Sequence, residues 1–557
     1  MHKKVLIGVA WPYVNGELHI GHLAGYLLPA DICARYHRSI GNQVLMVSGS
    51  DCFGTPITLE ADKRKITPDE VVKDYHQKDT HLFREILDLS YDLYTLTNHP
   101  NHIKVTQDFF IKMLEGGYLF IDKTKQYYSP TQNRFLPDRY VVGECPFCGT
   151  EDTRSDQCDS CGKLISHGEL LHPRSNLTGE DVEFKDTEHY FVDWPKLQPR
   201  IEKYVETAGR NWKDWVNNET LGWLKEGLKP RAITRDLDWG VPIPVDRIPQ
   251  DLLIENANSK RIYVWFDAVI GYFSASLLWA TINEGKWEDF WFGENLKHYY
   301  FMGKDNLVFH TLFWPGQLMV YNSELHLPDV VSINMFLNLD GKQFSKSRGV
   351  VLKIEDIVEK YGNDLVRFYL TLIMPETRDS SFVWSDLYEK VNGVLVANLG
   401  NFIHRTLSLY KGQKLAKTNE INEVTTSAIR NAFRKSRDFL ESCQYRNYLD
   451  SVLELTAYGN LLVDKHKVWE LKKTNTEEFE EVMTQLLGVV VAIGYLINPL
   501  LPEGSSRLSN YTGLRGFDKW PEDGKEIETI NPLIKEIIVS DGLKPLFTKL
   551  DKTQDTF

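Results

Sequence analysis

The pattern of apolar and polar positions begins with short apolar runs that alternate with helical spacing. Residues 5–10 are continuously apolar and give way to Pro12, Asn15 and Gly16, which predicts a buried strand followed by a loop. Apolar residues return at helical spacing over residues 21–39. A second apolar run at 44–47 stops at a stretch of small and acidic residues. Strands that alternate with helices predict a parallel sheet with ligands at its carboxyl edge.

The same alternation returns in a later part of the chain. Residues 261–266, 299–302 and 330–339 are further apolar runs, which we predict to be strands of the same sheet. The stretch between the two parts, residues 118–235, contains Cys, Pro and Trp but little alternation of strands and helices. We predict that this stretch is an insertion into the sheet domain.

From about residue 391 onward the apolar residues follow helical spacing alone. Two predicted helical faces consist of Val391, Val394, Leu395, Asn398 and Phe402, and of Leu455, Tyr458, Leu462 and Trp469. This pattern predicts a helical bundle. The expected fold class is therefore α/β, with a Rossmann-like parallel sheet that carries an insertion and is followed by an all-α bundle.

Charge and composition restrict the possible partners. The 557 residues include 64 Lys and Arg against 77 Asp and Glu, a net charge of -13, so a nucleic acid would bind only where basic residues are gathered locally. The first apolar run has no small-residue cleavage site after it, which favours a strand over a signal peptide. The longest apolar run, residues 486–497, is too short to span a bilayer and predicts a core helix. We expect a cytoplasmic protein without a membrane segment.

Four of the seven cysteines form two Cys-x-x-Cys turns, each followed by glycine. They are Cys145, Cys148, Cys158 and Cys161. Four thiolates at this spacing are typical of a structural zinc site, with one ion per chain. A redox pair is the alternative, and the duplication of the turn argues against it. The same cysteines favour a reducing compartment over a disulfide framework.

Two motifs are typical of phosphate binding. His19-Ile20-Gly21-His22 falls where the first loop meets the first helix, and a helix N-terminus attracts anions. The alternative is a pair of capping or core histidines. Ser345-Lys346-Ser347-Arg348-Gly349 follows the last apolar run of the sheet and suits a mobile loop that brings one cation to a phosphate. Alone, this second motif is more often a solvated basic loop.

In this order the two motifs resemble the paired signatures of class I aminoacyl-tRNA synthetases. The closer resemblance is to the methionyl-tRNA synthetase family, from residue 3 to about residue 500. It is carried by the segments 10–16, 263–268, 270–272 and 303–305, and by Phe309-His310. The resemblance implies ATP-dependent activation of L-methionine, followed by transfer to the 3′ end of methionine tRNAs, including the initiator tRNA.

The resemblance also implies roles for individual residues. His19, His22 and Lys346 would stabilise charge on the phosphates together with Mg²⁺, and Arg235 would reach the active site. Arg235 could instead be a surface ion-pair partner. ATP would contact His19, Gly21, His22 and Lys346, and its adenosine part Gly303 and Asp305. The methionine pocket would consist of Tyr13, Asp51, Trp265, Ala268, Tyr272 and His310, with Asp51 pairing the substrate ammonium. A thioether suits such an aromatic lining.

The resemblance also covers two residues of the bundle: Asn398 and Trp469 match residues with which the family contacts the tRNA anticodon. Both could instead belong to the core of the bundle. The chain departs from the family at Phe402, where many bacterial members carry arginine. It also departs at Cys52-Phe53, and at Gln343-Phe344 in place of Lys-Met. Lys346 is therefore the lysine of the second motif that carries over.

The expected domains are 1–117 with 236–330 for catalysis, 118–235 for the zinc-binding insertion, 331–390 for a linker with the signature loop, and 391–557 for anticodon binding. Because the chain ends soon after the bundle, nothing requires a dimer and we expect a monomer. Two alternatives to this family are another class I synthetase and an inactive relative that only binds tRNA. Leucyl, isoleucyl and valyl enzymes need a larger editing insertion and a cysteinyl enzyme needs zinc in its substrate pocket. An inactive tRNA-binding relative would not need His19, His22 and Lys346.

Overall fold

The computed structural model describes residues 2–137, 140–155, 158, 160, 161, 165, 168–343, 352–415 and 420–551. The strands in chain order are β1 Lys4–Val9, β2 Gln43–Ser50, β3 Leu93–Leu96, β4 Leu119–Ser129, β5 Arg134–Phe135, β6 Val141–Glu144, β7 Thr153–Arg154, β8 Leu171–Ser175, β9 Glu183–Val192, β10 Arg231–Ala232, β11 Thr234–Arg235, β12 Val241–Pro242, β13 Arg261–Ile262, β14 Leu296–Gly303, β15 Val330–Asn334, β16 Leu337–Leu339, β17 Lys342–Gln343 and β18 Ser380–Phe382.

The α-helices are α1 Ile20–His22, α2 Leu28–Ser39, α3 Thr55–Arg64, α4 Pro68–His81, α5 Pro100–Glu115, α6 Trp194–Ala208, α7 Asp214–Glu226, α8 Val264–Asp267, α9 Gly271–Asn283, α10 Trp314–Tyr321, α11 Ile354–Tyr361, α12 Asn363–Leu372, α13 Trp384–Lys390, α14 Asn401–Tyr410, α15 Glu423–Glu441, α16 Tyr445–Lys465, α17 Val468–Thr474, α18 Thr476–Ile497, α19 Pro502–Thr512 and α20 Glu526–Glu536. Among the described residues, four segments are π-helical, at Leu23–Leu27, Leu82–Ile86, Phe309–Phe313 and Val391–Gly400.

The centre of the molecule is a five-stranded sheet in the order β15-β14-β1-β2-β3, with every pair parallel. Ile7 lies between Tyr299 and Met46, and all three side chains are buried. Strands buried on both faces are continuously apolar, which is why residues 5–10 and 44–47 could be identified as strands. The predicted Rossmann-like parallel sheet is confirmed.

The chain leaves this sheet after β3 and returns to it at β14. The intervening residues are more regular than their sequence pattern indicated, because β4 and β9 form a long antiparallel pair from Leu119 with Val192 to Tyr128 with Glu183. Much of β4 is exposed, so polar residues interrupt its apolar pattern. Helices α6 and α7 follow β9.

Of the later predicted strands, residues 299–302 fall in β14 of the central sheet, and the run at 330–339 divides into β15 in that sheet and β16 in a separate one. The prediction for residues 261–266 is wrong, because β13 covers only the first two residues and pairs with β11 and β12 in another sheet. Strand β13 ends at Ile262, and α8 begins at Val264. Both segments are largely buried. A short continuous apolar run does not distinguish a buried strand from a buried helix.

From Val391 onward the regular elements among the described residues are all helical, as predicted. The predicted face that joined Leu462 to Trp469 is wrong, because α16 ends at Lys465 and Lys467 adopts a left-handed conformation with φ of 44°. Trp469 therefore lies on the separate helix α17.

A buried arginine connects the bundle to the catalytic sheet. Arg367 on α12 contacts Asp31 on α2 at 2.8 Å and donates hydrogen bonds to the carbonyls of Leu500 at 2.6 Å and Pro499 at 3.0 Å. Both charged side chains are almost fully buried.

Two helical stretches, Val264–Asn283 and Thr476–Ile497, are long and apolar enough to cross a membrane. Within the fold, 61% and 89% of their apolar windows are buried, which is typical of core helices. The second stretch contains the predicted core helix at residues 486–497.

Candidate active site

A cavity of about 370 Å³ lies at the carboxyl edge of the central sheet, where β1, β2 and β14 end. It brings together most of the residues that the sequence singled out for ATP and methionine. These residues are Tyr13, His19, Gly21, His22, Asp51, Trp265, Ala268, Tyr272, Gly303, Asp305 and His310. Residues that are far apart in sequence therefore line one compartment.

His19 and His22 form the first turn of α1. His19 Nδ1 accepts a hydrogen bond from the Gly21 backbone N–H at 3.1 Å, and His22 Nδ1 accepts one from the His19 N–H at 3.1 Å. Because Nδ1 accepts in each ring, a neutral imidazole carries its proton on Nε2, as a donor. The two rings lie 3.9 Å apart. The histidines both cap the helix and line the cavity.

Asp51 supplies a buried carboxylate to the same cavity. Its backbone N–H donates to the Pro12 carbonyl at 2.8 Å, and its side chain accepts from the Phe53 N–H at 3.3 Å. Burial, together with the nearby carboxylate of Asp267, raises the pKa of Asp51 well above its usual range. A bound cation would relieve this unfavourable burial of negative charge.

Tyr272 and His310 provide a neutral polar pair at the cavity wall. His310 Nδ1 lies 2.9 Å from the Asn306 carbonyl, and His310 Nε2 lies 2.8 Å from the Tyr272 hydroxyl. A carbonyl only accepts, so Nδ1 donates and the Tyr272 hydroxyl donates to Nε2. Burial lowers the pKa of His310 to about 4. The pair is therefore uncharged at neutral pH.

Aromatic rings complete the wall, and some of them were missed by sequence reasoning. Trp265 stacks on Phe309 with ring centroids 4.4 Å apart and meets the edge of Tyr13 at 6.2 Å. The sequence analysis predicts no pocket role for Phe309, although Phe309-His310 is one of the segments that carry the family resemblance. Trp11 also lines the cavity, and its indole lies so close to Gly49 and Gly271 that neither position has room for a side chain.

Two of the π-helical segments border the cavity. Leu23–Leu27 contributes Gly25 and Tyr26, and Phe309–Phe313 contributes Phe309 and His310. Such segments are frequent at functional sites. A Cβ at Gly25 or at Gly303 would meet nothing within 4 Å, so glycine at these positions keeps the backbone open to the cavity.

Arg235 lies beside this cavity and not in it. It lines two neighbouring cavities of about 600 and 340 Å³, which share Trp265 with the main cavity. Its guanidinium lies 4.2 Å from the ring centroid of Tyr263 and donates to the carbonyls of Ala232 at 3.0 Å and Thr234 at 2.8 Å.

Lys346 falls outside the described residues. The described chain resumes at Leu352, whose carbonyl accepts a hydrogen bond from Ile20 N–H at 3.1 Å. Lys353 pairs with His19 in a short antiparallel bridge. The segment after the second motif is thus attached to the turn that carries the first motif.

The four cysteines of the insertion converge as the sequence predicted. Their sulfur atoms all lie within 4.8 Å of one another, with Cys145 Sγ to Cys161 Sγ at 3.9 Å and Cys148 Sγ to Cys158 Sγ at 3.6 Å. A tetrahedral ion with metal–sulfur bonds of about 2.3 Å requires sulfur separations of about 3.8 Å. The cluster therefore has the donor set and spacing to hold one metal ion.

The two bundle residues singled out by the sequence lie near the surface. Trp469 is 39% exposed, and the Arg405 guanidinium lies 4.8 Å from its ring centroid. Asn398 accepts a hydrogen bond from Asn460 at 2.8 Å. Phe402 is buried, with its ring against Gly459. Phe402 is therefore a core residue of the bundle, whereas Trp469 is not.

Comparison with known proteins identifies the family of the chain. A family model described as tRNA synthetases class I (M) matches residues 5–407. A solved structure described as Mycobacterium tuberculosis methionyl-tRNA synthetase in complex with methionyl-adenylate is similar with a TM-score of 0.77 and 20% identity, covering 98% of this chain and 99% of that chain. The chain belongs to the class I aminoacyl-tRNA synthetases.

Relatives with similar sequences identify one family within this class. A methionine–tRNA ligase of Roseiflexus sp. is 42% identical over 93% of this chain and 88% of its own length. A methionine–tRNA ligase of Dehalococcoides mccartyi is 39% identical over 99% of this chain and 98% of its own length. Within its class, the chain belongs to the methionine–tRNA ligase family.

Proposed function

We propose that the chain joins L-methionine to AMP with release of pyrophosphate from ATP, and transfers the methionyl group to the 3′ end of methionine tRNAs, including the initiator tRNA. The observation that carries this proposal is the cavity of about 370 Å³. It combines two histidines at a helix N-terminus, a buried carboxylate and an aromatic wall with an uncharged polar pair.

Activation needs positioning and charge stabilisation more than proton transfer. The methionine carboxylate is already a nucleophile, so it attacks the α-phosphate without a general base while pyrophosphate leaves. His19 and His22 donate from Nε2 to the phosphates. Mg²⁺, which accompanies ATP, neutralises phosphate charge, and we assign the same role to Lys346 of the second motif.

The substrate side chain is selected by a wall without fixed charge. Trp265, Tyr13 and Ala268 enclose a long polarizable thioether, and the Tyr272 hydroxyl, donating to His310, is the polar contact. Asp51 pairs with the substrate ammonium, which offsets the cost of its buried charge. A side chain with a charged end would find no partner at this wall.

The roles proposed for Gly303, Asp305 and Arg235 are supported by their positions in or beside the cavity. Gly303, the last residue of β14, leaves room for the adenosine of ATP, and Asp305, two residues further on, accepts from its ribose hydroxyls. Arg235 reaches the reacting phosphates from the neighbouring cavity. We assign catalysis to residues 1–117 and 236–330, the insertion to 118–235, the linker that carries the second motif to 331–390, and anticodon binding to 391–557.

We assign a structural zinc ion to Cys145, Cys148, Cys158 and Cys161. Four thiolates fill a tetrahedral shell and leave no position open for substrate, so the ion stabilises the insertion. In the bundle, the exposed ring of Trp469 and the amide of Asn398 contact anticodon bases. Arg405, stacked beside Trp469, offers the cation that Phe402 does not supply. We expect a cytoplasmic monomer.

The pocket assignment is tested with Asp51→Asn, which keeps the shape of the side chain and removes its charge. We expect KM for methionine in ATP–pyrophosphate exchange to rise about tenfold or more, because a charge-assisted hydrogen bond to the ammonium contributes about 1.5–3 kcal/mol. Asp289→Asn, at an exposed carboxylate paired with Lys4, is the matched control. An unchanged KM for methionine would refute the role of Asp51.

A further inference from the structure

A buried lysine lies where β9 of the insertion meets the small sheet formed by β11, β13 and β12. The Nζ atom of Lys260, a residue only 2% exposed, donates to Asp236 Oδ1 at 2.7 Å and to the Thr187 hydroxyl at 2.5 Å. Thr187 in turn donates to the second oxygen of Asp236 at 2.9 Å. One ammonium and one carboxylate thus join β9 of the insertion to the segment that follows β11.

His189 extends this cluster on the same strand. Its Nε2 lies 3.2 Å from Asp236 Oδ2, and its Nδ1 lies 3.0 Å from the Thr234 hydroxyl. The Thr234 hydroxyl also accepts from the Tyr190 backbone N–H at 3.1 Å. Both residues that flank Arg235 in sequence, Thr234 and Asp236, are therefore fixed by polar contacts to β9.

The cluster adjoins the groups that contact the Arg235 guanidinium. That guanidinium donates to the Thr234 carbonyl and packs over Tyr263. Tyr263 is three residues after Lys260, just beyond β13, which pairs with β11. Through Asp236, Lys260 thus connects the segment that carries Arg235 with the segment that leads through β13 to Tyr263.

The electrostatics indicate that the charges are matched. Burial raises the pKa of Asp236, but hydrogen bonds from His189 and Lys260 outweigh it, so the pKa lies below its usual range. Burial lowers the pKa of His189, which leaves the ring neutral at physiological pH. A buried ion pair is a poor source of stability compared with apolar packing, but it fixes geometry when its hydrogen bonds are satisfied.

We propose that Lys260 is a positioning residue for amino-acid activation, which acts through Asp236 and Thr234 to hold Arg235 beside the active-site cavity. This inference rests on the proposed role of Arg235 in activation. Lys260 touches neither substrate, so its effect is on the rate of the chemical step and not on the affinity for methionine. Displacing a catalytic group by about 1 Å costs on the order of a hundredfold in rate.

The test is a double-mutant cycle on the full chain, measured by ATP–pyrophosphate exchange. We expect Lys260→Met to lower kcat by about ten- to a hundredfold with KM for methionine within about twofold. Lys260→Arg, which keeps the charge and its hydrogen bonds, should recover most of the rate. In an Arg235→Ala background, Lys260→Met should add less than about twofold, because residues that act through one another are not additive.

Controls separate positioning from loss of folded protein. Lys112→Met removes an exposed lysine paired with Glu115 at 3.0 Å and should leave exchange unchanged. If Lys260→Met fails to fold, Lys260→Met with Asp236→Asn removes both charges and tests the same coupling. Thermal unfolding of each variant gives the folded fraction by which its rate is divided.

Each outcome decides the inference. Equal rate losses from Lys260→Met in the native and Arg235→Ala backgrounds, a loss seen only in KM, or an unchanged kcat would each overturn it while leaving the role of Arg235 intact. An Arg235→Ala variant with native exchange would instead refute the proposed role of Arg235, and with it the reason to position that side chain.

Discussion

Replacing Trp469 with alanine tests whether the bundle binds a nucleic acid through an exposed ring. The indole is 39% exposed and lies beside the Arg405 guanidinium, which also contacts Asp464 at 3.1 Å. A base that stacks on an aromatic side chain contributes about 1–3 kcal/mol. Since 1.4 kcal/mol is about tenfold, Trp469→Ala should lower kcat/KM for charging methionine tRNA by about five- to 150-fold.

The cost in stability should be smaller than for a core tryptophan. Truncating a buried tryptophan costs about 3–5 kcal/mol, and the exposure of Trp469 reduces this to about 1–2 kcal/mol. The substitution leaves the cavity at the sheet edge untouched, so methionine activation should stay nearly intact. The decisive quantity is therefore the ratio of charging to activation per folded molecule.

The assay measures charging, ATP–pyrophosphate exchange and thermal unfolding on the same preparation. Trp279→Ala is the matched control, because Trp279 is also partly buried but lies on α9 of the catalytic sheet domain, against Phe290. The control should leave the ratio of charging to exchange unchanged. A Trp469→Ala protein that charges tRNA normally per folded molecule would refute the anticodon role.

Three further predictions concern the metal, the second motif and pH. Metal analysis of protein purified without chelator should find one zinc per chain, and protein without zinc would contradict the assignment. Cys158→Ser should lower the unfolding temperature of the insertion more than it lowers the rate of activation. Lys346→Ala should lower the rate of activation by about a hundredfold, since one charge-stabilising contact is worth about 3 kcal/mol, with little change in methionine affinity; an equal loss of affinity would contradict its role. Burial lowers the pKa of His102 and of His298 to about 3. Below pH 6.5 these histidines are therefore protonated in the unfolded chain but not in the folded one. Each of them lowers the free energy of unfolding by up to about 1.4 kcal/mol per pH unit as the pH falls towards 4. Unfolding temperatures that stay constant from pH 7 to pH 5 would contradict this.

The sequence was most informative where a function depends on contiguous residues. His19 to His22 at the start of a helix and the paired Cys-x-x-Cys turns are local patterns, and the structure places both as expected. Buried parallel strands were found for the same reason, because a continuous apolar run such as residues 5–10 marks them directly.

Contacts between distant segments could not be predicted in the same way. Residues 261–266 form a strand and then a helix, because apolar continuity does not encode backbone conformation. The left-handed Lys467 breaks the helix before Trp469 without a glycine to signal it. Lys260 meets Asp236 only because β11 and β13 pair, and its side chain carries no local signature of burial.

Methionine activation in the cavity at the sheet edge is the reaction on which every assigned residue role depends. The most direct measurement is ATP–pyrophosphate exchange by the full-length protein with each of the twenty amino acids in turn. We expect exchange that depends on methionine, with leucine, isoleucine, valine and cysteine far less effective. Exchange driven by leucine and not by methionine, or no exchange with any amino acid, would contradict it.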